Sequence, residues 1–261
     1  MTIRVAATVE GRGPDVLLIH GQPGSSADWA GVRRLLSGRH RVLVPDRPGY
    51  GDTGGRALGM SENAAAMAGL LDEHGATDAT VAGHSWGAGV ALALALREPS
   101  LVRHLVLVCP VTPGDRLGAI DRMLASRRVG ATTARTGFAI AGRALAWRRV
   151  QKRVAHLLPG LDAGRLDGIA RAWRNGSVWR SFYHEQRALF EELPRLRAEL
   201  SALKVPTTVV IAAHDHITDP DAGREFASRA DARLVEVRRA GHMLPMQAPE
   251  EVAAAIAADP T

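Results

Sequence analysis

The sequence has 261 residues, of which 46% are hydrophobic and 23% are charged, as in an ordinary soluble globular protein. No apolar run approaches the roughly 18 residues of a membrane span, and the first residues lack the basic and apolar blocks of a signal peptide. The single cysteine, Cys109, excludes an internal disulfide and favours a reducing compartment. We therefore expect a cytoplasmic protein.

The net charge of +6 is spread unevenly along the chain. Residues 114–200 hold 17 lysines and arginines against 8 aspartates and glutamates, and the rest of the chain has a small acidic excess. We find no nucleic-acid-binding motif with interleaved aromatic residues, so we expect no nucleic-acid partner, and we expect no membrane partner. The basic segment leaves open an acidic substrate or an acidic carrier protein, although general arginine usage could also explain it.

Short apolar runs rich in β-branched residues recur in the first and last thirds of the chain. They lie at 16–20, 41–45, 79–83, 105–109 and 207–213. Helix-like stretches lie between them at 28–36, 61–75 and 86–99. This alternation predicts an α/β fold with a mostly parallel twisted sheet covered by helices on both faces. An edge strand at 2–10, a last strand at 232–237 and a closing helix at 249–258 would complete it.

The alternation stops between about 113 and 204. Helical patterns at 137–158 and 181–193 replace the buried strands there, and Pro194 is expected to end the second of them. We interpret residues 113–204 as a helical lid inserted before the penultimate strand, because insertions of this kind often cover active sites. The core would then comprise residues 1–112 and 205–261.

The segment VAGHSWGAG, residues 81–89, places one serine where an apolar strand gives way to an Ala/Leu-rich helix. A sharp strand-to-helix turn needs small neighbours, and Gly83 and Gly87 supply them on either side of Ser85. Such a turn directs the hydroxyl out of the carboxyl edge of the sheet. The backbone N–H of Trp86 would then face a developing oxyanion. We therefore predict that Ser85 is a nucleophile.

A serine hydroxyl needs a base to take its proton. His242 follows the last predicted strand and Asp215 follows the strand before it, so both reach the same sheet edge as Ser85. The order serine, acid, histidine is the order expected for this topology. Asp219 and Asp115 are alternatives for the acid.

His214 and His216 flank Asp215 at a spacing that metal ligands can use. The sequence offers no further ligand at a matching spacing, so we predict no metal and no cofactor.

Four motifs in order resemble those of the α/β-hydrolase superfamily, and the resemblance extends over essentially the whole chain. They are HGQPGSSADW at 20–29, DRPGYGDT at 46–53, GHSWGAG at 83–89 and AGHMLPMQAPEE at 240–251. The resemblance implies a catalytic triad of Ser85, His242 and Asp215. It also implies an oxyanion hole formed by the backbone N–H groups of Gln22 and Trp86, and a lid.

The serine narrows the chemistry within that superfamily. Epoxide hydrolases and haloalkane dehalogenases are similar around HGQP but carry aspartate at the nucleophile position. Serine with a histidine base suits attack on a carbonyl and formation of an acyl-enzyme. We expect a hydrolase of an ester-like or related acyl substrate, such as an esterase, thioesterase, perhydrolase or carbon–carbon-bond hydrolase. Non-hydrolytic biosynthetic chemistry and ligand sensing stay open, because fold does not fix function.

Six further residues are candidates for the substrate pocket: His20, Trp147, Trp173, Trp179, Tyr183 and His184. For His20 the competing interpretation is a hydrogen bond that braces its loop. For the five others it is packing within the lid or a position on its surface. The acyl group, the leaving group and the oligomeric state do not follow from the sequence.

Overall fold

A computed structural model describes residues 4–112, 117–158 and 161–258 of the chain. These residues form one seven-stranded sheet with the order β1-β3-β2-β4-β5-β6-β7. The strands are β1 (Ala7–Glu10), β2 (Asp15–Ile19), β3 (Arg41–Pro45), β4 (Ala79–His84), β5 (Val102–Val108), β6 (Thr207–Ala212) and β7 (Arg233–Val237). Strand β1 pairs antiparallel with β3, and the other neighbours are parallel. The expected mostly parallel sheet is confirmed, with a shorter first edge strand than predicted.

Helices connect the strands and cover both faces of the sheet. They are α1 (Ala30–Leu36), α2 (Met60–Glu73), α3 (Trp86–Arg97), α4 (Ala119–Ala125), α5 (Gly130–Leu145), α6 (Arg148–Leu157), α7 (Ala163–Asn175), α8 (Val178–Glu199), α9 (Pro220–Arg229), α10 (Leu244–Gln247) and α11 (Pro249–Ala257). Helices α4–α8, which we call the insertion, lie between β5 and β6 in the chain. None of the described helices is long and apolar enough to cross a membrane.

The helices of the insertion differ from the sequence prediction in two places. The stretch predicted as one helix at 137–158 is divided between α5 and α6, because the backbone of Trp147 is extended. Helix α8 continues through Pro194 to Glu199 instead of ending before the proline. Leu193 and Leu196 are both buried in the core, so packing on either side holds this exposed proline in the helix.

Alternate residues of the central strands point to opposite faces, and each face has its own core. Leu105 and Leu107 of β5 pack in the cluster that contains α2, α3 and part of α8. Val106, between them, packs in the cluster under α1 and α11, which includes Trp29. Because β2–β7 run in the same direction, the turns that follow them meet along one carboxyl edge of the sheet, where the candidate site lies.

Candidate active site

Ser85 occupies a strained turn between the last residue of β4 and the first residue of α3. Its backbone has φ 54° and ψ −120°, a left-handed conformation that non-glycine residues rarely adopt. A Cβ on Gly83 would lie 2.3 Å from the carbonyl oxygen of Gly87, and one on Gly87 would lie 2.4 Å from the carbonyl oxygen of His20. The two glycines thus allow the close packing that the turn requires.

A continuous series of hydrogen bonds joins Ser85, His242 and Asp215. The Ser85 Oγ lies 2.9 Å from His242 Nε2, and His242 Nδ1 lies 2.8 Å from Asp215 Oδ2. If Nδ1 carries the proton and donates to the carboxylate, Nε2 is left to accept from the serine hydroxyl. The three residues come from the turns after β4, β6 and β7, as the sequence order implies.

Asp215 is held as a carboxylate. Burial alone would raise the pKa of Asp215, but hydrogen bonds from His242, from the Thr218 hydroxyl and from the Ile217 backbone N–H outweigh it and lower the pKa below its usual range. The Thr218 hydroxyl donates at 2.7 Å and the backbone N–H groups of Ile217 and Thr218 donate at 2.8 and 3.0 Å. Asp219, the alternative acid, instead caps α9. Asp115, the other alternative, lies outside the described residues.

His84, next to Ser85, contacts both the backbone and the ring of His242, the candidate base. Its Nε2 donates to the backbone carbonyl of His242 at 2.8 Å, and the centres of the two rings are 4.9 Å apart. Burial, followed by the nearby His242, lowers the pKa of His84 to about 3. His84 is therefore neutral at ordinary pH and adds no charge beside the base.

The backbone around Gln22 is held by a fully buried arginine. The Nε of Arg47 donates to the carbonyl oxygen of His20 at 2.9 Å, and Nη2 donates to that of Gly21 at 2.8 Å. The His20 Nε2 accepts from the Arg47 backbone N–H at 2.9 Å. His20 is fully buried and outside the walls of both cavities described below, so it braces its loop and does not line the pocket.

The charge of Arg47 is paired with a carboxylate from the insertion. Glu185 of α8 accepts a hydrogen bond from the guanidinium group of Arg47, and both side chains are completely buried. The Tyr50 hydroxyl donates to the other carboxylate oxygen at 2.6 Å. The guanidinium carbon also lies 4.5 Å from the ring centre of Trp86. A single buried cluster thus joins the loop at 20–22, the turn at 47–50 and α8.

Two cavities meet at Ser85. The larger, of about 480 Å³, is mainly apolar and is walled by α5, α6 and α7; its lining includes Leu145, Val150, Leu166, Ile169 and Trp173. The smaller, of about 260 Å³, lies beside α4 and α8 and is lined by residues such as Asp121, Phe182 and Gln186. Gln22 and Ser85 line both, so the serine hydroxyl lies where the two cavities join. Trp86 lines only the smaller.

A chain of side-chain amides crosses the smaller cavity. The Gln22 Nε2 donates to Gln186 Oε1, and Gln186 Nε2 donates to Asp121 Oδ1, each at 2.9 Å. Because a carboxylate only accepts, Asp121 fixes the direction in which both amides point. The smaller cavity is therefore the more polar of the two.

Most of the pocket candidates in the insertion lie away from both cavities. Trp173 lines the larger cavity. Trp147 is 69% exposed, which contradicts its assignment to a pocket. Trp179 packs under the guanidinium of Arg180, and the Tyr183 hydroxyl donates to the backbone carbonyl of Ser126, directly after α4. His184 is half-buried, and burial, followed by Arg56, lowers its pKa.

The potential metal ligands at this edge are already engaged. Among the described residues the one cluster of suitable donor atoms is formed by Cys109, Asp215 and His242, and it does not include the exposed His214 and His216. Burial raises the pKa of the Cys109 thiol, as does the neighbouring Asp215 charge. Asp215 and His242 already bond each other, and a protonated thiol is a poor ligand.

Sequence reasoning missed several residues that shape the site. His84 could have been singled out because it adjoins the serine. Arg47 lies within one of the recognised motifs, but its partner Glu185 is 138 residues away and sits in an unremarkable helical pattern. Gln186 and Asp121 likewise carry no local signal.

A family model described as "Alpha/beta hydrolase family" matches residues 16–255. An uncharacterized protein of Mycobacterium tuberculosis is 39% identical over 107 residues, which are 40% of this chain and 31% of that protein. The chain thus spans about a third of the length of the first curated relatives that it matches.

Two further proteins are similar over nearly the full chain. Pyrrolizixenacetamide deacetylase of Xenorhabdus hominickii is 26% identical over 95% of this chain and 91% of its own. The solved structure of a thermophilic esterase from Thermogutta terrifontis is 25% identical, with a TM-score of 0.77 over 97% of this chain and 91% of that one. The family match covers most of the sequence, and the solved structure has the same fold. The chain therefore belongs to the alpha/beta hydrolase family.

Proposed function

We propose that the protein is a serine hydrolase that cleaves an ester-like or related acyl substrate through an acyl-enzyme. The observation that carries the proposal is the hydrogen-bonded series from Ser85 Oγ through His242 to Asp215. A serine on a strained turn, within hydrogen-bond distance of an oriented imidazole, is the arrangement required for nucleophilic attack on a carbonyl. The similarity to a deacetylase and an esterase supports the same chemistry.

In the proposed mechanism His242 Nε2 takes the proton of Ser85 as Oγ attacks the substrate carbonyl. The backbone N–H groups of Gln22 and Trp86 donate to the oxyanion that forms, each contributing roughly 10²–10³ in rate. The imidazolium then protonates the leaving group. His242 next takes a proton from a water that attacks the acyl-enzyme; the bond from Oγ to the acyl carbon then breaks, His242 returns the proton to Oγ, and the acid is released. Asp215 holds the imidazole in one orientation throughout.

The two cavities supply a site for each part of the substrate. The larger cavity is lined mainly by aliphatic side chains, which suits the burial of an apolar group. The smaller cavity carries the carboxylate of Asp121 and the amide of Gln186, which suits a group with polar atoms. We assign the acyl chain to the larger cavity and the leaving group to the smaller one. The insertion walls both cavities and so acts as the lid.

Intact-mass spectrometry after incubation with a fluorophosphonate probe tests the proposed function. We expect one adduct on the wild-type protein and none on the Ser85→Ala or His242→Ala variants, because only an activated serine reacts with the probe. Ser85→Ala should also abolish hydrolysis of an ester panel. Circular dichroism should show that its fold is retained.

A wild-type protein that forms no adduct would contradict the proposal. The serine would then be present but not activated, and ligand binding or non-hydrolytic chemistry would account better for the site. An adduct that persists in Ser85→Ala would contradict the assignment of the nucleophile.

A further inference from the structure

One stretch of the insertion carries basic residues without acidic ones. Residues 122–161 contain nine lysines and arginines and no aspartate or glutamate. The rest of the chain holds the other 24 basic residues together with all 27 acidic ones. A general preference for arginine therefore does not explain the stretch, since it would not remove the acids. The described part of it covers most of α4 and all of α5 and α6.

Helix α6 has a basic face and an apolar face. Arg148, Arg149, Lys152 and Arg153 are all exposed, and within the described residues none of the four makes an ion pair. Val150 and Val154 on the opposite face, and Leu158 directly after the helix, line the larger cavity. A single helix thus separates a positively charged surface from the apolar cavity beside Ser85.

Large apolar side chains protrude among these charges. Trp147 is 69% exposed, Ile140 is 62% exposed and Leu157 is 56% exposed. Ile140 and Arg143 are three residues apart in α5, so they lie on the same side of that helix. Trp147 also lies directly before α6, and Leu157 ends that helix. Exposed apolar and basic side chains are therefore interspersed along the end of α5 and along α6.

We propose that this surface, formed by Ile140, Arg143, Trp147 and the basic face of α6 with Leu157, binds anionic lipid at a membrane surface. Arginines and lysines attract lipid phosphates and carboxylates, and an exposed tryptophan is stabilised at the depth of the headgroups. The binding is peripheral and is consistent with the absence of a described helix able to span a membrane. It departs from our expectation of no membrane partner, because the sequence did not show that these charges and apolar groups share a surface.

The position of the surface also indicates where the substrate comes from. Helix α6 would lie against the lipid with its apolar face on the larger cavity, so an acyl chain leaving the membrane would have a short path to Ser85. This part of the inference rests on the proposed function. The lipid binding itself does not, because it involves no residue that reacts.

Vesicle sedimentation tests the surface directly. We expect the wild-type protein to bind phosphatidylcholine vesicles that contain phosphatidylserine, to bind pure phosphatidylcholine vesicles far less, and to be released by added salt. Arg148→Gln with Arg149→Gln should weaken binding about 25-fold, since each basic residue at an anionic surface contributes a factor of about five. The matched control is Arg195→Gln with Arg197→Gln, two exposed arginines of α8, which should bind like the wild type.

Three outcomes would overturn the inference. They are equal binding by the wild type and the α6 variant, no binding of the wild type to phosphatidylserine vesicles, and binding to an acidic carrier protein without binding to vesicles. The fluorophosphonate adduct on Ser85 is measured separately in the same samples. Vesicle binding without an adduct would support the lipid-binding surface and contradict the proposed function. An adduct without vesicle binding would support the proposed function and contradict the lipid-binding surface.

Discussion

His84 shows how a residue beside Ser85 can hold the candidate base, His242, in place. Its ring packs against His242 and holds the carbonyl of that residue, while burial keeps it uncharged. A second positive charge at this distance would oppose formation of the imidazolium that the proposed mechanism requires. The neutral state of His84 therefore serves the site as well as the fold.

The depressed pKa of His84 predicts a loss of stability in acid. Between pH 6.5 and about 3 the unfolded chain binds a proton at this residue and the folded protein does not, so the free energy of unfolding falls as the pH falls. This group contributes up to about 1.4 kcal/mol per pH unit in that window. His84→Gln, which can still donate to the His242 carbonyl, should make urea unfolding less dependent on pH between 6 and 4. An unchanged slope would show that His84 is not held neutral.

At the scale of single residues, the sequence predicts the members of the candidate triad. Ser85 was predicted from the two glycines that permit its turn, and His242 and Asp215 from their places after successive strands. The structure brings these three within hydrogen-bond distance, although their catalytic role stays a proposal. Trp147 was assigned wrongly, because an aromatic residue in a helical pattern does not reveal which way it faces.

At the scale of elements, α8 is tied to the loop that precedes the nucleophile turn. Two successive residues do this: Glu185 binds Arg47, and Gln186 binds the side chain of Gln22. Arg47 in turn holds the carbonyl groups of His20 and Gly21. We therefore expect α8 to position the backbone N–H of Gln22 as well as to cover the site.

Glu185→Gln tests this connection. Removing the carboxylate leaves Arg47 buried without a counter-charge, which should lower the free energy of unfolding by roughly 3–5 kcal/mol. The same change at Glu191, which pairs with Arg187 on the exposed side of α8, should cost less than about 1 kcal/mol. Thermal and urea unfolding of both variants provides the comparison. Equal losses would mean that the buried pair does not hold α8 in place.

The sequence predicts the central strands better than it predicts the helices of the insertion. The sequence predicts the central strands because apolar β-branched runs mark strands covered on both faces, and the sheet is mostly parallel as expected. The break between α5 and α6 and the passage of α8 through Pro194 were missed. The packing of Leu193 and Leu196, which keeps Pro194 within α8, is a long-range feature that a local pattern does not contain.

At the scale of the whole molecule, α8 ties the insertion to the core of the sheet domain. Leu189, Leu193 and Leu196 of α8 belong to the main cluster under the sheet, and Met246 of α10 packs among Leu145 and other residues of the insertion. Helix α8 is therefore part of the core of the sheet domain, whereas α5–α7 pack mainly in a smaller cluster of their own. The sequence predicted the insertion but could not show this shared packing.

Hydrogen exchange should reveal one cooperative unit. We expect the slowest amides of α8 to exchange with the same free energy as those of β4 and β5, because they are protected by the same core. This free energy of exchange is measured by mass spectrometry of peptides from the three elements, over a series of low denaturant concentrations. Complete exchange of α8 while β4 and β5 stay protected would show that the insertion opens by itself.

The single thiol of the chain lies behind the candidate site. Cys109 follows β5, is 1% exposed and borders Asp215, so no reagent in solution reaches it while the carboxyl edge of the sheet is intact. A thiol-reactive dye added to the native protein consequently has one possible target, and that target appears only when this edge opens. The rate of labelling would time the opening of the site in the unmodified protein, with no engineered probe.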